Sequence, residues 1–454
     1  MDLAYRTEDS NPLVAAVCPA PVLAAGTNLN IHAADEMLAF LEDSFGGDRD
    51  QALAVYFGSG VQIWETFREI LTWWFGNLDK VERLLDFASG YGRVTRFLVH
   101  DLPPSRVWVS DIYAQGVEFQ TEQFGVHGEV SAISPSDFDP AERFDAILVS
   151  SLFTHLPEEA FHGWLARLRG LLTPGGLLIF SVHDWSLLWP EREVAPGGFL
   201  FEAISESGSL AKTQYGTCWV TEDFVRQAIA RAAPGASAHR IPRGFLNFQD
   251  LYVVGDRPEV DFSGLGVRAL PEGYVDQCTL TPPDRLDLSG WVVDRATGRP
   301  VREVQLRIDG EILQICRLFS PRADVAAQLF PNDERAPTPL GWRFAVKLPP
   351  GTSHSAGVLV LQVIDAQGRE SVLYAATIDA ALLASLQRDY MALGAELARV
   401  RREHQEAVAQ REAETAYAIS VLEARLAAME NSRFWKIRNS WFRIKRRLGL
   451  TQEE

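Results

Sequence analysis

Residues Leu84 to Arg93 read Leu-Leu-Asp-Phe-Ala-Ser-Gly-Tyr-Gly-Arg, an apolar run that ends in an acid and breaks into a glycine turn ahead of a helical pattern. A buried strand, a tight turn and a helix in immediate succession make up the opening unit of a doubly wound parallel sheet. Gly90 and Gly92 let the backbone turn sharply and approach a ligand with no Cβ in the way. From Val81 to Val254 short apolar runs keep alternating with helical stretches, which predicts strands at Arg83–Phe87, Val107–Ser110, Ala146–Ser150, Leu177–Val182 and Leu251–Val254. An α/β domain is therefore expected over residues 81–256. Residues 1–80 read as a helical cap, with a Trp- and Phe-rich stretch from Val61 to Trp74.

The composition changes after Asp256. Period-2 runs at Leu286–Val293, Val304–Ile308, Phe344–Leu348 and Val358–Ile364, with turn signals at Thr297-Gly298, Asp309-Gly310 and Gln367-Gly368, predict a small β-sandwich over 270–378. It carries no cluster of His, Cys or carboxylates; a carbohydrate- or protein-binding module and a plain spacer both fit. From Asp379 to Met429 the chain has no Pro and one Gly, Gly394. Leu386, Leu393 and Val400, with Tyr390 and Leu397 four residues on, keep a seven-residue repeat; Val408, Thr415, Leu422 and Met429 keep another, offset by one. A coiled coil over 379–432 with a stagger near His404 fits this pattern, and so does a single amphipathic helix packed on the protein's own surface. About 50 residues of helix span roughly 75 Å, long for packing on one domain.

At 454 residues the chain is too long for one core, so two or three folded units are expected. Cys18, Cys218, Cys278 and Cys316 form no CxxC or zinc-like spacing, which points to a reducing compartment and gives no metal site. Asp2, Glu8 and Asp9 precede an apolar stretch, Leu13 to Ala25, that Pro19 and Pro21 interrupt; this is a poor secretion signal, and a cytoplasmic protein is expected. The net charge of −17 argues against a nucleic-acid partner. The exception is local: between Arg433 and Arg447 every ionisable side chain is basic.

The strand after the glycine turn ends at Asp111, 19 residues beyond Gly92, where a carboxylate can accept hydrogen bonds from both hydroxyls of an adenosine ribose. Two details decide between a dinucleotide and another adenosine ligand. Thr95 stands where the dinucleotide pattern requires Gly or Ala. Asp86, four residues before Gly90, would oppose a pyrophosphate but favours the ammonium and sulfonium charges of S-adenosylmethionine. The methyl donor fits better.

On DFASGYGR at Asp86–Arg93, the acid at Asp111, FDAILVSSLFTHLP at Phe144–Pro157, LLTPGGLLIFSVH at Leu171–His183 and QDLYVV at Gln249–Val254, the chain resembles the class I methyltransferases. The resemblance implies a Rossmann-like fold and S-adenosylmethionine as cofactor. Ser89, Gly90 and Gly92 would line its methionine portion, Asp111 would hold the ribose, and Ile112 would pack on the adenine. Asp137 is a candidate for the adenine amine, and Ser150 joins the cofactor-binding set. An acceptor should sit beyond the C-terminal ends of the strands. His155 after the fourth strand and His183 after the fifth are the candidate bases for a hydroxyl acceptor, with Tyr215 and Glu222 behind them; a His in a THLP turn is more often a helix-entry or packing residue. The SSLFTHLP sequence lacks the Pro-Pro-aromatic element of methylases acting on base amino groups, which sets DNA methylation aside.

On a helix over 433–450, Phe434, Ile437, Trp441, Ile444 and Leu448 form an apolar stripe with basic residues around it, suited to an anionic membrane surface or to a docking partner. The stretch SRFWKIRNSWFRIKRRLG resembles tails of bacterial glycan-assembly enzymes, glycosyltransferases included. The order of parts is similar to that of O-antigen chain-terminating methyltransferases. That similarity implies an O-methyltransferase of surface-polysaccharide synthesis with a glycan or sugar hydroxyl as acceptor, a homo-oligomer joined by the coiled coil, and a peripheral position on the inner membrane face. A small-molecule O-methyltransferase and a non-catalytic scaffold in a glycan-assembly complex are the other readings.

Overall fold

The computed structural model describes residues 2–6, 11–24, 26–188, 193–205, 207, 209–282, 284–330 and 338–448. Glu8, Asp9 and Ala25 of the N-terminal reading, and the last two residues of the 433–450 helix, lie outside them. Residues Met1–Leu382 and Leu383–Glu454 are two compact units.

The first unit is built on a seven-stranded sheet of β1 (Leu84–Phe87), β2 (Val107–Asp111), β3 (His127–Val130), β4 (Phe144–Val149), β5 (Leu172–Val182), β6 (Ser237–Phe245) and β7 (Gln249–Gly255), in the order β6-β7-β5-β4-β1-β2-β3. β1 runs parallel to β2 and β4, with Asp86 opposite Val109 on one side and Leu148 on the other. β7 is antiparallel to β5, pairing Leu251 with Ser181. Parallel strands covered on both faces read as near-continuous apolar runs. Accordingly Leu84, Leu148 and Ile179 enter one core, and Leu85, Ile147 and Leu178 enter the other.

The segment read as a cap supplies part of the first core. A helix over Arg49–Phe75 begins at the Asp48 N-cap and ends at Gly76, whose φ of 85° suits only glycine. Its Tyr56, Phe57, Phe67, Ile70 and Leu71 are buried against the sheet, each contributing about 1.5–3 kcal/mol by leaving water. The opposite face is closed by helices over Glu158–Gly170 and Glu222–Ala232.

Residues 272–377 form two four-stranded sheets that share one core, in which Leu288 and Phe344 of one sheet meet Leu306 and Leu361 of the other. Asp309 and Gly310, both at positive φ, make the two-residue turn between Glu303–Ile308 and Glu311–Cys316. These sheets are joined to the N-terminal part: Leu13 and Ala54 pack with Val358, Val360 and Ala375 in a shared apolar cluster. Arg268 pairs with Asp294 and Asp365, both almost fully buried.

In the second unit one helix, Ile378–Asn431 by its full bounds, gives way at Ser432 to a helix over Arg433–Arg447. Ser432 Oγ accepts from the Trp435 amide at 3.2 Å, a helix start written in the sequence. Leu386, Leu393, Val400, Leu422 and Met429 are exposed. So are Phe434, Ile437, Trp441, Ile444 and Leu448, while Arg438 lies over the Trp435 ring at 4.4 Å. No helix among the described residues is long and apolar enough to cross a membrane.

Candidate active site

Parallel pairing sets the C-terminal ends of β2, β1 and β4 side by side, and the turns leaving them enclose a cavity. Asp86, Ser89, Gly90, Asp111, Ile112, Ser150 and His155 all stand on its wall. At Gly90 a Cβ would meet nothing within 4 Å, so the backbone there is open to a ligand. Gly92 is different: it does not line the cavity, and a Cβ on it would lie 2.5 Å from the Phe124 ring. Its absent side chain serves close packing beneath the turn.

Asp111 closes the turn. Its Oδ2 accepts from the Gly90 amide at 2.8 Å and its Oδ1 from the Tyr113 amide at 3.0 Å. Each oxygen keeps a second lone pair for a ribose hydroxyl. Burial pushes the Asp111 carboxyl upward, while those amides draw it back down. Asp86, 1% exposed, is pushed up to about 7, chiefly by burial; a hydrogen bond donated by Thr95 would oppose this, the Asp111 charge adds to it, and Arg93 opposes it. Ala88 and Ser151, at the ends of β1 and β4, have φ of 58° and 60°, a conformation that costs non-glycine residues about 1–3 kcal/mol and gathers at ligand sites.

Two candidates fall elsewhere. Asp137 is exposed and off the cavity wall; Ser131, Ala132 and Ile133, which follow β3, occupy that part of it. His183 is also off the wall. It lies behind His155 at 6.4 Å between ring centroids and beside Trp219, and burial lowers it to about 4, which keeps it neutral at physiological pH. Of the two weaker guesses, Tyr215 lines the cavity, whereas Glu222 is tied to Arg226 and Arg240 away from it. His155 stacks on Tyr215 at 4.5 Å, and its Nδ1 lies 2.7 Å from the Gly216 carbonyl oxygen. A carbonyl only accepts, so Nδ1 carries the proton.

Several wall residues escaped the sequence reading. Arg93 brings a cation; Asp35, Glu36, Met37 and Phe40 come from the segment at the start of the Glu36–Ser44 helix. Tyr113 Oη donates to Glu36 or shares its proton with Ser209 at 2.6 Å. A run-on from Asp111 could have flagged Tyr113; Asp35 and Glu36 carry no local signal, since only the fold brings them across.

The fold and the wall together define a nucleoside-binding α/β domain of the methyltransferase type: strand order, glycine turn after β1, acid after β2. Residues 85–178 match the model of a family described as a methyltransferase domain. A malonyl-[acyl-carrier protein] O-methyltransferase of Prosthecochloris aestuarii is 26% identical over 182 residues, 38% of this chain and 64% of that protein. A trans-aconitate 2-methyltransferase of Rhodopseudomonas palustris is 29% identical over 107 residues, 24% of this chain and 41% of that one. The chain thus spans less than two thirds of the length of either relative. Among solved structures, the aminopentose methyltransferase CalS10 of Micromonospora echinaspora aligns with a TM-score of 0.31 at 19% identity, covering 43% of this chain and 90% of that one. The chain carries a methyltransferase domain, and S-adenosylmethionine is its cofactor.

The residues present suit that cofactor. Ser150 Oγ is shielded from solvent and makes no hydrogen bond to a described residue, Gly90 leaves open space, and Asp86 offers a carboxylate to a cation. Asp111→Ala is expected to weaken S-adenosylmethionine binding by about 1.5–3 kcal/mol, the loss of a charge-assisted hydrogen bond. Calorimetry on the folded variant reads this directly, and unchanged affinity would remove Asp111 from the site.

Proposed function

We propose that the protein is an S-adenosylmethionine-dependent O-methyltransferase whose acceptor is a hydroxyl of a glycan or sugar in bacterial surface-polysaccharide synthesis. The observation that carries the hydroxyl acceptor is His155, which stands on the cavity wall with its Nδ1 oriented by the Gly216 carbonyl. Bound S-adenosylmethionine supplies an activated methyl group. Positioning and removal of the acceptor proton are what remain for the protein. His155 takes that proton, Asp111 holds the ribose, and Arg93 meets the methionine carboxylate. The relatives' names describe methylation of a malonyl carrier and of trans-aconitate. An anionic acceptor is disfavoured here, because Asp35 and Glu36 stand on the cavity wall.

Labelled S-adenosylmethionine, offered with a panel of glycans, carboxylates and small hydroxyl compounds, tests this reading. An alkali-stable methyl ether on a glycan is expected. Label found only in alkali-labile esters would overturn the hydroxyl reading, and label confined to small alcohols would favour the small-molecule one.

The exposed heptad residues of the Ile378–Asn431 helix support a homo-oligomer joined by a coiled coil. The intact protein is expected to sediment as a dimer or trimer, and Leu393→Asp with Leu422→Asp to reduce it to monomer. A monomeric wild type at high concentration would leave a single long helix. The Arg433–Arg447 helix, with seven basic residues and an exposed apolar stripe, suits the anionic inner face of the cell membrane or a glycosyltransferase partner. Each Lys or Arg near an anionic surface contributes roughly 1 kcal/mol. Changing Arg443, Lys445, Arg446 and Arg447 to Gln is expected to release the protein from anionic liposomes, and salt should mimic the change. Trp435→Ala with Trp441→Ala should weaken binding with little salt dependence. If the intact protein ignores anionic liposomes at low salt, a protein partner becomes the better assignment.

A further inference from the structure

The floor of the cavity carries a hydrogen-bond chain whose polarity can be read from one end to the other. Gln120, fully buried, places Nε2 2.9 Å from the Gly90 carbonyl oxygen and 2.9 Å from Ser89 Oγ. The carbonyl only accepts, which fixes that atom as the nitrogen and Oε1 as the opposite end of the amide. Oε1 lies 2.7 Å from Thr95 Oγ1, so the Thr95 hydroxyl spends its one proton there. Thr95 Oγ1 also lies 2.9 Å from Asp86 Oδ2. With its proton committed to Gln120, Thr95 can only accept from Asp86, and a carboxylate has nothing to donate.

We propose that Gln120 and Thr95 are positioning residues that keep the Asp86 carboxyl protonated until a cationic ligand binds, so that loading the cofactor expels one proton. The step balances simply: the Asp86 O–H bond breaks, the proton leaves to solvent, and the carboxylate that remains faces the ammonium and sulfonium charges. The inference rests on the cofactor reading above and adds its proton linkage. The charged neighbours agree with a carboxyl that is neutral before binding: Asp111 opposes its ionisation and half-buried Arg93 favours it only in part. The other titratable groups on the wall are Asp35, Glu36, Tyr91, Tyr113, His155 and Tyr215. Burial of this carboxyl and the close Asp111 charge are general causes; the Thr95–Gln120 chain is what makes the protonated form specific.

Below the pKa of the empty site the proton must be displaced, so affinity falls as pH falls; above it, affinity is flat. Isothermal titration of the full-length protein with S-adenosylmethionine, in two buffers of different ionisation enthalpy at pH 6.5, counts the proton. Between half and one proton released per site is expected, with affinity roughly tenfold weaker at pH 6 than at pH 7.5. Asp86→Asn should abolish both effects. Gln120→Met, close in volume, frees the Thr95 hydroxyl to donate to Asp86, so the cofactor should still bind while proton release shrinks and the pH dependence moves to lower pH. Binding without proton release in the wild type overturns the proposal and leaves the cofactor reading intact. Full release from Gln120→Met overturns the role of the chain. Absence of binding at every pH overturns the cofactor reading and this inference with it.

Discussion

Replacing His155 by Asn is expected to lower the rate of methyl transfer by about 10²–10⁴, the range over which a positioned base acts, while S-adenosylmethionine affinity stays within twofold. Asn is the informative choice because its amide N–H can keep the hydrogen bond that His155 Nδ1 makes to the Gly216 carbonyl. Only the ring's Nε2, the proposed base, is then removed. The measurement is single-turnover transfer of labelled methyl to whichever acceptor hydroxyl the screen identifies. The same substitution at His183 should change the rate far less: that ring is off the cavity wall, and burial lowers it to about 4. A His155→Asn variant with near-normal turnover would make the residue a packing element and leave the acceptor hydroxyl to lose its proton to water.

The second large effect is expected at Arg96, which is fully buried and tied to carbonyl oxygens and aromatic faces. Its Nε donates to Gly92 O at 3.0 Å, and its Nη1 to Asn28 O at 3.1 Å and Asn30 O at 2.8 Å. The guanidinium packs over the rings of Tyr56, Phe57 and Phe124. One side chain thereby fastens the N-terminal segment to the glycine turn. Arg96→Ala leaves a cavity and orphaned carbonyls together, and about 3–5 kcal/mol of stability should be lost. Arg96→Met refills the space without the hydrogen bonds, so its urea midpoint should fall between those of Ala and wild type. A Met variant as stable as wild type would show that volume alone matters at this position.

The parts of the fold that could be read from sequence are those where burial on two faces imposes an apolar run. Leu84–Phe87 and Leu177–Val182 announce themselves in this way. His127–Val130 does not, because as an edge strand all four of its residues are exposed, and Ser237–Phe245 mixes His, Arg and Pro into a strand that a single neighbour holds in place. The same division runs through the site. Gly90 and Asp111 belong to one local strand-turn-helix unit and carry a spacing. Glu36 and Gln120 reach the site from other elements, and nothing in their neighbourhoods distinguishes them from ordinary helical polar residues. The sequence marks Thr95 only as departing from the dinucleotide pattern, while its hydroxyl contact with Asp86 is visible only in the fold.

The apolar cluster that joins Leu13 and Ala54 to Val358, Val360 and Ala375 sets a timetable for synthesis. A ribosome adding roughly 5–20 residues per second needs about 20–70 s to pass from the first of these side chains to the last. Through that interval Leu13 and Ala54 have each other but not the sheet that covers their shared face. A nascent chain stalled before residue 358 should therefore present this face to trigger-type chaperones, and one released after residue 377 should not.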